Sequence, residues 1–414
     1  DTAAALNFLI LATSAISVPM PMIIPSKLAF LTSSQGAELL HNVMQDERDD
    51  LALSSSPWMK TLSVFQRTAL LEQRALRFKA LRKHSRAREM LLTPLGMQQM
   101  TSEPLARYKA GRLPEGLRTV ADLCCGVGGD SLHLPQQIAV FGVDRDVDAL
   151  RAYRHNTALF RKAVAIQADV TRLQTKVDGI FIDPARRALV SLAKDRDFDT
   201  EPEPGWDALQ DIVEHYGNCA VKLGPGAKIP DALSEVGEME YLGDEDECLE
   251  LTVRTGSFGR QGWVRAVEMP AAVAIEAQAC DLPDSFGRVE DLGEWFYEPV
   301  KCVVRAHLFG VLAQQTGLWQ LDGRIAYLSG NKRIVSPLLK RYRVLKALTL
   351  DERALRNEIL SGEIGILEIK KRGLDIDPET WRKKLKPKGS NSATLVFTRL
   401  LGKAAVLRVE PDRV

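Results

Sequence analysis

Four aspartates set the question. Asp122, Asp144, Asp169 and Asp183 each stand at the carboxyl end of a short apolar run: Thr119 to Cys124, Ile138 to Val143, Ala163 to Gln167 and Gly179 to Ile182. Between the first two runs lies the glycine-dense stretch Gly126-Val127-Gly128-Gly129-Asp130. Ligands of open α/β sheets bind along the carboxyl edge of the strands, so acids gathered there are placed to hold the hydroxyls and amines of a nucleoside. Asp144, about 20 residues past the turn, is positioned to accept hydrogen bonds from ribose hydroxyls. Glycine at 126 and 128 permits positive φ and a close approach by a ligand. Any one of these acids could instead cap a helix in a βα loop. Four together are not what packing alone predicts.

The elements that must carry these residues are strand, tight turn and helix in repetition. Thr101 to Arg112 reads as a helix leading into the first strand. Beyond Asp183, Trp206 to His215 reads as a helix, Cys219 to Leu223 as a fifth strand and Ile229 to Val236 as another helix. Glu238 to Leu242 and Cys248 to Val253, separated by Gly243-Asp244-Glu245-Asp246, can form a closing antiparallel pair. The fold class expected is α/β, a Rossmann-like sheet that is parallel with an antiparallel last strand. Upstream, residues 58 to 90 read as continuous helix with a basic face of Arg67, Arg74, Arg77, Lys79, Arg82, Lys83, Arg86 and Arg88. Downstream, short strands alternate with helices near 351 to 361 and 378 to 385. The expected segments are a helical region 1–112, a ligand-binding sheet domain 113–256, a β-rich connector 257–299 and a basic α+β domain 300–414. A charged loop, 188 to 205, follows the fourth strand as a lid or substrate loop.

Composition bounds the answer. The 414 residues, 45% apolar, suffice for two or three packed domains. Six cysteines show no CxxC pair, so neither a zinc site nor a disulfide framework is expected; no metal is called for, and reduced thiols point to the cytoplasm. The formal net charge of +1 hides segregation: residues 330 to 414 hold 20 Lys and Arg against 10 Asp and Glu. Lys370-Lys371-Arg372 and Arg382-Lys383-Lys384-Leu385-Lys386-Pro387-Lys388 mark that end as a polyanion binder. Residues 1 to 31 are apolar, but they lack a basic leader and are broken by Pro19, Pro21 and Pro25. They read as a packed helix or extension, and no membrane association is expected.

The glycine turn alone fits a dinucleotide site, an S-adenosylmethionine site or a plain tight turn. With its neighbours it becomes specific. Asp-x-Cys-Cys-Gly-Val-Gly-Gly from Asp122, the acid after strand two, Ala168-Asp169 and Asp183-Pro184-Ala185-Arg186 resemble motifs I to IV of class I S-adenosylmethionine-dependent methyltransferases. The Cys-Gly-Val-Gly-Gly form is similar to trimethylguanosine-synthase-type RNA methyltransferases. A wider likeness takes in 92 to 101, 120 to 130, 183 to 187, 222 to 226 and 367 to 373. It resembles a bacterial methyltransferase family with a C-terminal THUMP-like domain.

The resemblance implies S-adenosylmethionine as cofactor. It assigns the cofactor set to Asp122, Cys124, Gly126, Gly128, Asp130, Asp144, Arg145, Asp169 and Val170, with Thr101 and Arg107 from the helix before motif I. Cys124 replaces the glycine many such enzymes carry. THUMP domains bind RNA, so the resemblance implies RNA as partner, through the basic C-terminal domain and the basic N-terminal helices.

The expected reaction is N-methylation of a nucleobase in tRNA or rRNA. Asp183 would orient the acceptor nitrogen and the Pro184 to Ala185 carbonyls would take a second N–H. Arg186 replaces the usual stacking aromatic, and its guanidinium could stack on a base or clamp a phosphate. Covalent C5 chemistry is disfavoured, since Cys219 falls at the start of strand five. His133 and His155 read as structural. The alternatives are a methyltransferase for a small molecule or protein, and a non-catalytic RNA-binding protein with a relic fold. An NAD oxidoreductase is weakest, because the glycine spacing is not G-x-G-x-x-G.

Overall fold

The computed structural model describes residues 26–173, 175–186, 201–282 and 289–412, and at Arg186 the backbone only. The terminal stretch 1–25, Arg187 and most of the expected lid loop lie outside the described residues. Two compact units emerge: Asp1–Glu238 with Leu251–Gln261, and Met239–Glu250 with Gly262–Val414. The expected segments 1–112 and 113–256 thus share one unit except for Met239–Glu250, and most of 257–299 falls in the other.

The first unit begins in helices. Ser63 caps helix α1 (Val64–Ala80) through a reciprocal capping box with Gln66. The expected helix to 90 stops at Ala80, and the chain turns repeatedly through 89. Met90, Leu91 and Leu92 are all buried, and three successive inward residues suit extended chain, not one helix face. The basic face is also partly internal. Arg74 donates to the carbonyls of Val43 and Arg48, and Arg77 to those of Met90 and Glu89. Short helices α2 (Pro94–Gln99) and α3 (Glu103–Gly111) then lead into the sheet.

The strands are β1 (Thr119–Leu123), β2 (Ala139–Asp144), β3 (Ala163–Gln167), β4 (Gly179–Ile182) and β5 (Cys219–Leu223), in the order 3-2-1-4-5 and all parallel. Leu251–Thr255 lies next to β5 and runs antiparallel to it. The central strands are buried along nearly their whole length, as expected of parallel strands covered on both faces. Helix α4 (Val147–Ala158) packs on β2 and β3, and α5 (Trp206–Tyr216) precedes β5. Because β1 has β2 on one side and β4 on the other, the strand order reverses there. The carboxyl ends of β1 and β4 therefore border the crevice where this architecture binds ligands.

In the second unit, Met239–Glu250 forms a hairpin whose tip residues, Glu245 and Asp246, both take positive φ, as a tight two-residue turn requires. Farther on, β6 (Leu339–Thr349), β7 (Ile364–Lys371), β8 (Asn391–Leu400) and β9 (Lys403–Pro411) form one side of a seven-stranded sheet in the order 6-9-8-7. Helices α6 (Glu352–Ser361) and α7 (Pro378–Leu385) bring Leu355, Ile359 and Leu385 onto Leu395, Phe397 and Val406. On the opposite face, Phe296, Tyr327 and Tyr342 pack with Val396 and Leu407.

Candidate active site

The glycine turn is shaped from below. Cys124, Gly126 and Gly128 all have positive φ, at 56°, 53° and 93°. Cys124 therefore holds a left-handed conformation that an L side chain adopts only with strain. A Cβ on Gly128 would lie 3.1 Å from the Tyr153 ring, whereas one on Gly126 would meet no protein atom within 4 Å. The open side of the turn is thus at Gly126, whose N–H donates to the Asp144 carboxylate at 2.9 Å. Asp144 also accepts the N–H of Asp146 at 2.9 Å.

Asp122 lies under the turn and not in the opening. It is 3% exposed and accepts from Ser131 Oγ at 2.5 Å, and Ser131 in turn meets the Tyr153 hydroxyl at 3.0 Å. Burial, with Asp130 adding repulsion, pushes its carboxyl up to about 8.

Two acid–lysine pairs flank the turn. Asp130 is bonded by Lys109 Nζ at 2.5 Å and by Thr101 Oγ1 at 3.0 Å. Burial works against its charge, but Lys109 and Lys222 hold it below the ordinary aspartate value. Asp183, at the end of β4, meets Lys222 Nζ at 2.6 Å. Register explains the meeting: Ile182 is paired with Val221, so the next residues on β4 and β5 are level. Burial raises the Asp183 carboxyl, with Lys222 opposing and Asp130 reinforcing the rise. Pro184 is buried behind it, and Ala185–Arg186 forms a short ladder with Pro202–Glu203.

Sequence reasoning named Thr101 and Asp130, which the structure brings together, but not their neighbours Lys109, Lys222, Ser131 and Tyr153. Lys222 carried a signal, as a polar residue at the end of strand five.

Other candidates stand apart. Arg107 is exposed and pairs with Glu103 one turn earlier, 2.7 Å away, so it does not reach the Asp130 cluster. Arg145, also exposed, pairs with Glu203 at 2.6 Å. One oxygen of Asp169 accepts from the N–H and hydroxyl of Thr171, capping a short turn that starts at buried Val170. That is the capping role weighed against ligand binding, and it lowers the carboxyl's proton affinity.

His84, Glu103 and His133 converge closely enough to bridge a cation. However, Nδ1 of His84 accepts the Arg86 N–H at 3.1 Å, which puts the proton of the neutral ring on Nε2. Nε2 then donates to His133 Nε2 at 3.1 Å. Burial lowers both imidazoles, His133 to about 4, so the neutral hydrogen-bonded pair is the state at neutral pH. Phe160 packs edge-on against both rings.

A sheet ordered 3-2-1-4-5 with an antiparallel strand beside β5, and a glycine turn opening at the β1/β4 reversal, is the arrangement of class I methyltransferases. The open face at Gly126 and the carboxylates at the ends of β2 and β4 fit S-adenosylmethionine, its cofactor.

Comparison with known proteins carries this to the family. Residues 339–411 match the family described as THUMP domain-like. Uncharacterized S-adenosylmethionine-dependent methyltransferases from two strains of Mycobacterium tuberculosis are each 35% identical over 321 residues, covering 75% of this chain and 85% of theirs. A crystal structure from Porphyromonas gingivalis, assigned to the methyltransferases, aligns with a TM-score of 0.72 at 18% identity, over 95% of this chain and 100% of that one. That likeness speaks for the fold. The chain belongs to the S-adenosylmethionine-dependent methyltransferases, and it carries a C-terminal THUMP-like domain. Among the described residues no helix is long and apolar enough to cross a membrane.

Proposed function

We propose that this methyltransferase modifies a nucleobase nitrogen in tRNA or rRNA, with Asp183 orienting the acceptor. The observation that carries the reading is the position of Asp183. It follows β4 directly, beside the open glycine turn, and about a third of its side chain is accessible. When bound, S-adenosylmethionine supplies a methyl group already activated on a sulfonium. The protein's task is then to align a nucleophile and exclude water.

A ring or exocyclic nitrogen is a poor nucleophile while its lone pair is delocalised. Asp183, accepting an N–H hydrogen bond, would return density to the nitrogen, and the carbonyls of Pro184 and Ala185 would accept a second N–H. On the cofactor side, Asp144 would hold the ribose and Asp169 the adenine amine. Gly126, Gly128 and Cys124 would line the amino-acid end, with Thr101 and Asp130 beside them.

RNA as the acceptor is supported by the THUMP-like match and by the exposed Lys383, Lys386 and Lys388. A protein or small-molecule acceptor draws support from the internal use of Arg74 and Arg77. One experiment separates them: labelled S-adenosylmethionine is incubated with fractionated cellular RNA, and modified nucleosides are identified by mass spectrometry. Label in a nitrogen-methylated nucleoside is the expected result. Label only in protein or small molecules would overturn the RNA assignment.

A further inference from the structure

Lys222 has no part in the reading above, yet it touches the residue on which that reading depends. Its ammonium lies 2.6 Å from Asp183 Oδ2 and also donates to the carbonyl of Gln99 at 3.1 Å. Lys83 donates to the two neighbouring carbonyls, Gln98 at 2.6 Å and Met100 at 2.9 Å. Three successive carbonyls at the end of α2 are therefore taken by two lysines. The final carbonyls of a helix have no partner within it, and cations there are favourable on that account and for the helix dipole. The next residue, Thr101, bonds Asp130. Residues 98–101 are thus braced at one end to the acid after β4 and at the other to the acid of the glycine turn.

We infer that Lys222 is a positioning residue for Asp183, keeping its carboxylate ionised and fixed against the backbone of residues 98–100. This rests on the reading that Asp183 receives the acceptor. An acid that polarises an N–H must be a hydrogen-bond acceptor, and a protonated carboxyl presents a donor instead.

The surroundings of Asp183 favour protonation apart from the lysines. Asp130 and Asp122 approach from the turn and β1, and Cys124 lies near. Against them stand Lys222 on β5, Lys109 on α3 and Lys83 beyond α1. Lys222 reaches Asp183 directly, at 2.6 Å. Lys83 is itself easier to deprotonate through burial and the nearby Lys222, so it is the weaker counter-charge.

The test is a carboxyl-carbon NMR titration of the full chain with labelled aspartate, the Asp183 resonance being the one lost in Asp183→Asn. In Lys222→Met the titration midpoint should rise by at least about one pH unit, a tenfold gain in proton affinity. Lys222→Arg should leave it near the wild-type value. Lys222→Gln, which keeps a donor for Gln99, should show the same rise and serves if the methionine variant does not fold.

An unmoved midpoint in either neutral variant overturns the inference. Asp183→Ala, assayed for transfer from labelled S-adenosylmethionine to cellular RNA, separates the two failures. Lost transfer with an unmoved midpoint removes Lys222 alone. Retained transfer with a moved midpoint removes the acceptor role of Asp183 and leaves the ion pair.

Discussion

Lysines and arginines meet different fates at the strand ends of the first unit and in the THUMP-like sheet. Around the glycine turn, Lys109 and Lys222 are drawn onto aspartates that burial would otherwise neutralise, so each pair sets the ionisation of a candidate working group. In the second unit the run Lys370-Lys371-Arg372 is absorbed by packing. Lys370 pairs with Glu298 at 2.8 Å, Lys371 donates to the Ile376 carbonyl, and Arg372 lies over the Tyr327 ring. Glu298 outweighs burial and holds the Lys370 ammonium strongly protonated. Lys383, Lys386 and Lys388, by contrast, are exposed. A basic run in sequence therefore says little about function. Convergence at strand ends beside an open turn says more.

The contrast can be broken most directly at Asp183. Replacing it with alanine should lower transfer by about 10²–10⁴-fold, the range for a group acting on the acceptor proton. S-adenosylmethionine affinity, measured by calorimetry, should stay within about tenfold. Gly126→Ala comes next. Its Cβ meets no protein atom, so stability should fall only by the roughly 1–2 kcal/mol of a left-handed L residue. Cofactor affinity should fall about tenfold or more, equivalent to roughly 1.4 kcal/mol. Unchanged cofactor affinity would show that the opening faces something else.

The third variant pair sharpens the reading of the second unit. Lys370→Met should destabilise it by about 1–3 kcal/mol in urea titrations, because Glu298 loses its partner while mostly buried. RNA affinity should not change. Joint replacement of Lys383, Lys386 and Lys388 by glutamine should leave stability within about 0.5 kcal/mol per site. It should also flatten the salt dependence of RNA binding by about 0.7 per lost phosphate contact. Reversed outcomes would exchange the two roles. The smallest effect is expected of Cys124→Gly. Relief of the left-handed strain, worth about 1–2 kcal/mol, is offset by the extra chain entropy of glycine, about 0.5–1 kcal/mol. A net gain of at most about 1.5 kcal/mol in thermal unfolding would follow.

Much of this was readable in advance. The strands carrying Asp122, Asp144 and Asp183 announce themselves because buried parallel strands are apolar along their length and the turn between them is rich in glycine. The strand Cys219–Leu223 was legible for the same reason. What escaped were partners set by register or distant packing. Lys222 meets Asp183 because Ile182 pairs with Val221, and Lys109 meets Asp130 from a separate helix. The basic helix misled because an arginine that satisfies buried carbonyls has the same sequence signature as one facing solvent. Arg74 and Arg77 are of the first kind. Arg107 lay on the expected helix, but Glu103 one turn back claims its guanidinium.

The tyrosine at 153 lends the turn a dependence on material far from it. Its ring closes on Gly142, where an added methyl would fall 2.2 Å from the ring, and on Gly128, while its hydroxyl reaches Ser131. The turn's support therefore extends at least from Thr119 to Ala158, with Thr101 and Lys109 added on Asp130. Grafting the loop alone into another scaffold would leave it without its aromatic bedplate, and recombination within the span would part the turn from the ring that supports it.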